Sequence, residues 1–279
     1  MHFLLLAILC SSIISILMRL STDKVENSYG LLTMNYVTCS FLAALHTGFG
    51  NLLPLGEGFS LTLGLGAFSG AVYLAGFVLM QRNIQQNGVV LSSVFMKLGL
   101  LVPMVVSILF FGEMPGAAQI LGFVLAVGAI IMINWQRGSN GAARSGLSLV
   151  LLLLAGGSAD VMCKVFEEIG PAALSNQFLF YTFLFAFILC KDLMFFNKQR
   201  VGKNELLFGC LVGVPNFYSS KFILMALGKL EAVIVYPSFS VATLLLVTLA
   251  GVLFFKEKLR KLQWLAVAII LAALVLLNI

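Results

Sequence analysis

Three ionisable side chains stand inside long apolar runs: Lys97 in "VVLSSVFMKLGLLVPMVV", Asp160 in "LLLLAGGSADVMCKVF" and Lys221 in "LVGVPNFYSSKFILMALG". A charge at the centre of a membrane-spanning helix costs about 2.5 to 3.5 kcal/mol, so each one needs a partner, water or a ligand. Asp160 and Lys221 fall at similar depth, roughly 10 to 12 Å from one end of their runs at a rise of 1.5 Å per residue. They can cancel each other, or Asp160 can pair with Lys164 one turn on. Lys97 lies deeper, and no acidic residue at its depth is left to neutralise it. The chemistry this implies is recognition of a negative group in a cavity of net positive character. Asn35, Tyr73, Asn216, Tyr218 and Ser238 add amides and hydroxyls that hydrocarbon would not tolerate. The expected binding set is therefore Lys97, Lys221, Asp160, Tyr73, Asn216, Tyr218, Ser238 and Asn35. Tyr36 and Tyr236 read as anchors at the membrane interface. His46 is either a proton site or a histidine bonded to backbone. Pro215 and Pro237 each remove a helix hydrogen bond, which kinks the helix or frees a carbonyl for substrate.

Catalysis finds no assembled group. A membrane-embedded enzyme would show clustered acids, a HExxH-type metal pair, or a nucleophile beside a base. Here one deep Asp and two His are scattered. Cys10, Cys39, Cys163, Cys190 and Cys210 lie within apolar runs without CxxC spacing, so neither a disulfide framework nor a metal site is expected. No cofactor is expected, and no filter-like repeat points to a channel.

The elements that must position these residues follow from composition. Of 279 residues, 61% are hydrophobic and 10% charged, with a mean hydropathy of +1.06; a soluble domain carries about 25% charged residues. The chain belongs in a bilayer. Runs of the roughly 20 residues needed to cross one occur near 2–21, 30–49, 60–81, 88–111, 116–135, 146–166, 173–194, 205–228, 232–255 and 261–278. They are unbroken, whereas barrel strands are about 10 residues of alternating polarity. The expectation is an all-α integral membrane protein of ten spans, with the N-terminal "MHFLLLAILCSS" as the first span.

The spans repeat. A shift of 144 residues lays "LFFGEMPGAAQILGFVLAVGAIIMIN" (109–134) on "LFFKEKLRKLQWLAVAIILAALVLLN" (253–278) without a gap. With one residue gained upstream, an offset of 145 lays Tyr73 on Tyr218, Tyr36 on Tyr181 and Arg19 on Lys164. Residues 1–135 and 147–279 thus form two five-span units joined by the polar linker 136–146. Five is odd, so the second unit enters the membrane from the opposite side, as an inverted repeat. Of 17 Lys and Arg, Arg19, Lys24, Arg82, Arg137, Arg144, Lys191, Lys198, Arg200, Lys203, Lys256, Lys258, Arg260 and Lys261 fall at loops on one face, and Lys164 and Lys229 on the other. The positive-inside rule puts the basic face in the cytoplasm and both termini outside it. The net charge of +6 then reflects orientation and asks for no nucleic acid. The repeated Glu113 and Glu257 are expected to cap the helix that follows each.

Ten spans in two halves, a basic residue closing the first span of each half (Arg19, Lys164), and a glutamate ending the fourth (Glu113, Glu257) before a small-residue-rich fifth resemble the EamA-like branch of the drug/metabolite transporter superfamily. The first span departs from that pattern, reading "LCSSIISILMR" where a tryptophan-glycine pair is common. The resemblance implies a secondary transporter working by alternating access. Its central cavity would be lined by the first, third, fourth, sixth, eighth and ninth spans. The expected substrate is a small polar metabolite, anionic or zwitterionic, of the amino acid, phosphorylated sugar or nucleotide-linked sugar class, with export as one direction. A flippase of lipid-linked headgroups is the alternative, and a membrane-embedded enzyme a weaker one. The expected setting is the plasma (inner) membrane, with substrate and lipid as partners and a monomer or homodimer as the assembly.

Overall fold

A computed structural model describes residues 2–54, 56–100, 102, 116–118, 120–122, 124–125, 128, 142–227, 229, 232–256 and 261–276. Among the described residues the structure is all-helical, as lipid requires when every backbone polar group must be satisfied within its own segment. The longer helices are α1 (His2–Ser21), α2 (Ser28–Thr47), α3 (Phe59–Lys97), α4 (Ala142–Ile169), α5 (Ser175–Phe196), α6 (Lys203–Leu227), α7 (Ala232–Leu253) and α8 (Lys261–Leu276). Among the described residues five segments are long and apolar enough to cross a membrane, and shorter apolar helices run over Ser238–Leu253 and Trp264–Ala273. The fifth expected span lies largely outside the described residues, as do Glu113 and Glu257.

Two boundaries differ from the sequence reading. The linker expected over 136–146 ends early, because α4 already begins at Ala142. The polar stretch Arg82–Asn87, expected as a loop between the third and fourth spans, is helical. At 39 residues, α3 would measure about 58 Å if straight, nearly twice the hydrocarbon thickness of about 30 Å. It is broken at Gly88, whose φ of 82° and ψ of 167° fall in a region essentially reserved for glycine. Tyr73 and Lys97 would stand about 36 Å apart on a straight helix, yet both line one cavity. The chain therefore folds back at a single residue. Buried Asn83 secures this corner by donating to Leu79 O (2.8 Å), Ser148 O (3.1 Å) and Ser148 Oγ (2.9 Å), which ties α3 to α4.

Helix contacts come in exchanged pairs. α1 packs on α6 and α3 on α4; α2 packs on α6 and α3 on α5; α2 and α5 pack on each other. Glycines set the closest approaches. A Cβ on Gly66 of α3 would meet Phe178 O, Tyr181 Cβ and Thr182 N of α5; one on Gly209 of α6 would meet Leu31 O, Met34 Cβ and Asn35 N of α2. Gly70 repeats the arrangement against Thr182 and Phe185, and Gly213 against Asn35 and Thr38. Small residues let backbones approach where lipid offers no hydrophobic drive for association. Gly66 and Gly209 are 143 residues apart and their partners Tyr181 and Met34 are 147 apart, so the offset of 145 read from the tyrosines is two residues out of packing register for both helix pairs. Tyr36 is also corrected: it is fully buried and edge-on to Phe77 (6.0 Å between centroids), so it is a core residue and not an interface anchor.

The loops gather at two ends. At one, the Glu205 carboxylate accepts from the backbone N–H of Glu26, Asn27 (both 3.1 Å) and Gly202 (3.0 Å), Asn204 donates to Lys24 O (2.8 Å), and Arg82 donates to the Tyr29 hydroxyl (3.0 Å). At the other, Gln177 donates to Asn51 O (3.2 Å), Tyr181 donates to Leu52 O, and Lys229 stands over the Phe3 ring. Lys24, Arg82, Arg200 and Lys203 belong to the first end.

Candidate functional site

A cavity of about 130 Å³ opens where six helical segments converge. α1 contributes Ser11, Ile14 and Ser15; α3 contributes Val72, Tyr73, Gly76, Phe77 and Met80 before its break and Ser93, Met96 and Lys97 after it. α4 adds Ala155, Gly156, Ala159 and Asp160, α6 adds Asn216, Ser219 and Ser220, and α7 adds Phe239 and Ser240. These segments are the first, third, fourth, sixth, eighth and ninth spans of the sequence reading. Among the described residues Gly76 has no neighbouring atom within 4 Å of where a Cβ would stand, which leaves room inside the cavity.

Lys97 is held from two directions. Its Nζ donates to Ser11 Oγ at 3.3 Å and stands 3.8 Å from the centroid of the Phe239 ring, well within cation–π range. Asp160 lies within electrostatic reach of Lys97, and among the described residues no ion pair closes on it. The two opposite charges thus share the cavity without contact, which leaves their outer hydrogen-bonding sites to water or a ligand. The Tyr73 hydroxyl lies 3.2 Å from Ser220 Oγ, so the two walls are linked at that level. Among the described residues Ser93 Oγ is buried without a hydrogen-bond partner, and it belongs to the lining.

Of the expected binding residues, Lys97, Asp160, Tyr73 and Asn216 line the cavity, and the other four do not. Asn35 is fully buried behind it and accepts from Asn216 Nδ2 at 3.1 Å, which fixes the Asn216 amide from the rear. Tyr218 turns the other way, its hydroxyl 3.5 Å from His46 Nε2. His46 stacks on Phe217 (5.3 Å), so the partners it shows are aromatic side chains and not the backbone carbonyl of one of its two expected readings. Lys221 stands 5.9 Å from the Phe217 ring, outside the cavity, so the expected Asp160–Lys221 pair is replaced by Asp160 facing Lys97. Ser238 is exposed, and Ser240 takes the cavity position. The side chains of Lys164, Tyr236 and Pro237 lie outside the described residues.

The residues missed were Ser11, Ser15, Ser93, Ser219, Ser220 and Phe239. A helical serine can hide its hydroxyl on the carbonyl four residues back, as Ser15 does on Ser11 (3.4 Å) and Ser220 on Asn216 (3.3 Å), so its presence in an apolar run costs little and signals little. The one available signal was the i, i+4 spacing of Ser11 and Ser15, which puts both on one face.

A multi-pass membrane protein, all-helical among the described residues, with a buried, charged cavity between its helices has the form of a membrane transporter. Residues 144–279 match the model of the EamA-like transporter family: this part of the chain carries an EamA-like domain, of the drug/metabolite transporter superfamily. Over 286 residues it is 26% identical to an uncharacterized protein of Haemophilus influenzae, covering 98% of this chain and 96% of that protein. A solved crystal structure superposes with a TM-score of 0.66 at 13% identity, over 99% of this chain and 95% of the other. A likeness at that identity concerns the fold alone.

Proposed function

We propose that this chain is a ten-span secondary transporter whose two inverted repeats, residues 1–135 and 147–279, carry a small zwitterionic or anionic metabolite by alternating access. The observation that carries the substrate reading is the cavity shared by Lys97 and Asp160. Lys97 receives the negative group of the substrate, and Asp160 receives a positive one. That second charge favours a zwitterion of the amino acid class over a phosphorylated or nucleotide-linked sugar. The apolar wall of Ile14, Val72, Phe77, Met80 and Met96 suits the side chain of such a molecule.

The repeat reading draws support from the exchanged packing of Gly66 and Gly70 on α5 and of Gly209 and Gly213 on α2. Two halves related in this way have two arrangements of similar energy, open to either side of a fixed central site. The test is uptake by the purified chain in proteoliposomes, offered radiolabelled amino acids, sugar phosphates and nucleotide sugars in turn, beside a fluorescent-lipid scrambling assay. Saturable uptake of an amino acid is expected. Scrambling without uptake would replace the reading by the flippase, and uptake confined to sugar phosphates would make the site one for a simple anion.

The orientation we propose puts the end bearing Lys24, Arg82, Arg200 and Lys203 in the cytoplasm of a plasma-membrane protein, with both termini outside. In a cysteine-free background, Glu57→Cys should react with an impermeant maleimide added to intact cells, and Lys203→Cys only after permeabilisation. The reverse pattern overturns the orientation and leaves the substrate reading untouched.

A further inference from the structure

A second polar pocket lies at the basic end, on a different face of α3 from the central cavity. Its volume is about 270 Å³. Its working residues are Ser28, Gln81, Arg82, Gln85, Asn197 and Gln199, and among the described residues no acidic side chain lines it. The central cavity takes Tyr73, Gly76, Phe77 and Met80 from α3, whereas this pocket takes Val78, Gln81, Arg82 and Gln85. That is a shift of five residues, or about 140° around a helix at 3.6 residues per turn.

The pocket is prepared for a ligand in two respects. Gln81 is 2% exposed and its Oε1 is buried with no hydrogen-bond partner among the described residues, a state native structures avoid. Arg82 donates one of its five N–H groups to the Tyr29 hydroxyl (3.0 Å), which aims the guanidinium without using up its donors. A ligand that answers both must bring an anionic group for Arg82 and a hydroxyl donor for Gln81. Depth gives its source. Phe195 and Phe196, the last two residues of α5, are 79% and 78% exposed, which suits the apolar layer, and Asn197 and Gln199 follow directly at the level of headgroups.

We propose that this pocket binds a hydroxyl-bearing phosphate, namely the glycerol phosphate headgroup of an anionic phospholipid. The phosphodiester oxygens accept from Arg82, and a glycerol hydroxyl donates to Gln81 Oε1. The pocket is thus a lipid site separate from the transport cavity, and its test requires no knowledge of the transported solute.

The experiment titrates the full chain in detergent with short-chain phosphatidylglycerol, phosphatidylcholine or soluble glycerol 1-phosphate, and reads binding by native mass spectrometry and by thermal shift. Phosphatidylglycerol should bind at least fivefold more tightly than phosphatidylcholine. Gln81→Met, which keeps shape and charge, and Arg82→Gln should each weaken it at least fivefold, and Lys203→Gln at the same end by less than twofold. Gln85→Leu, at an exposed position, replaces Gln81→Met if that variant does not fold. Glycerol 1-phosphate binding with the same residue dependence supports the site while giving it a soluble occupant. Equal binding of the two lipids with no glycerol 1-phosphate binding, undiminished binding in both pocket variants, or a Lys203→Gln loss as large as theirs overturns it.

Discussion

Lys97→Gln should lower the apparent affinity for the transported substrate roughly 10- to 150-fold in proteoliposome uptake, with the protein still folded. A hydrogen bond to a charged group contributes about 1.5 to 3 kcal/mol, and each 1.4 kcal/mol is a factor of ten in affinity. The lysine is already positioned for this role by Ser11 Oγ at 3.3 Å and the Phe239 face at 3.8 Å. Lys97→Arg should recover part of the loss, since charge is kept and geometry altered. Asp160→Asn should also impair uptake, and it leaves Lys97 as an uncompensated charge in the cavity. The double variant Lys97→Gln, Asp160→Asn should therefore melt higher than Asp160→Asn alone while remaining inactive, because neutralising both members removes the electrostatic cost and the recognition together. Lys221→Gln should leave affinity within about twofold, because Lys221 lies beside Phe217, outside the cavity. Unchanged affinity in Lys97→Gln would sink the anion site. A large loss in Lys221→Gln would return the role to the residue first expected to share it.

The exchange of partners between Lys221 and Lys97 marks how far the sequence is legible. Depth along a helix is readable from rise per residue, and on depth Asp160 and Lys221 match. Azimuth is harder to read, because it requires knowing which face of each helix turns inward. Asn216 supplies that reference: it lines the cavity, and Lys221, five residues on, stands about 140° around the same helix. Tyr218 is turned away from Asn216 by about 200°, as is Ser238 from Ser240. Asn35 failed differently, since it is a polar group that supports Asn216 from behind and never meets the cavity.

The expected repeat was read from copied side chains, and the glycine contacts give it a different register. Tyr73 and Tyr218 share a residue type at an offset of 145, yet the glycine contacts put α6 at 143 and α5 at 147 relative to their counterparts. Identity of a large side chain is a weak marker of register in lipid, where tyrosine can face a core, a cavity or an interface. Glycine at a helix crossing has one place to be, because only there does the neighbouring backbone leave no room for a Cβ. "GAFSG" at 66–70 spaces two glycines at i, i+4, on one face of a helix. Its counterpart "GCLVG" at 209–213 carries the same i, i+4 spacing and fixes the register.

That register makes a prediction in which sign separates one glycine from another in the same helix. Gly70→Ala would place a methyl 2.5 Å from Thr182 O and 2.9 Å from Ala186 N, and Gly213→Ala one 2.6 Å from Thr38 Cβ and 2.7 Å from Asn35 O. Three of these four obstacles are backbone atoms, which no rotamer change can move. The helices must separate along the crossing, and each substitution should destabilise by about 1 to 3 kcal/mol, the usual cost of overpacking a close-packed site; Gly70→Leu should prevent recovery of folded protein. Gly64, six residues before Gly70 in α3, has nothing among the described residues within 4 Å of its Cβ position. Gly64→Ala should therefore gain up to about 1 kcal/mol from helix propensity alone. Melting temperatures of the three alanine variants in one detergent read the outcome directly. A stabilised Gly70→Ala or Gly213→Ala would mean that the α3–α5 and α2–α6 crossings are looser than drawn, and similar losses at both would be expected from two crossings that share one geometry.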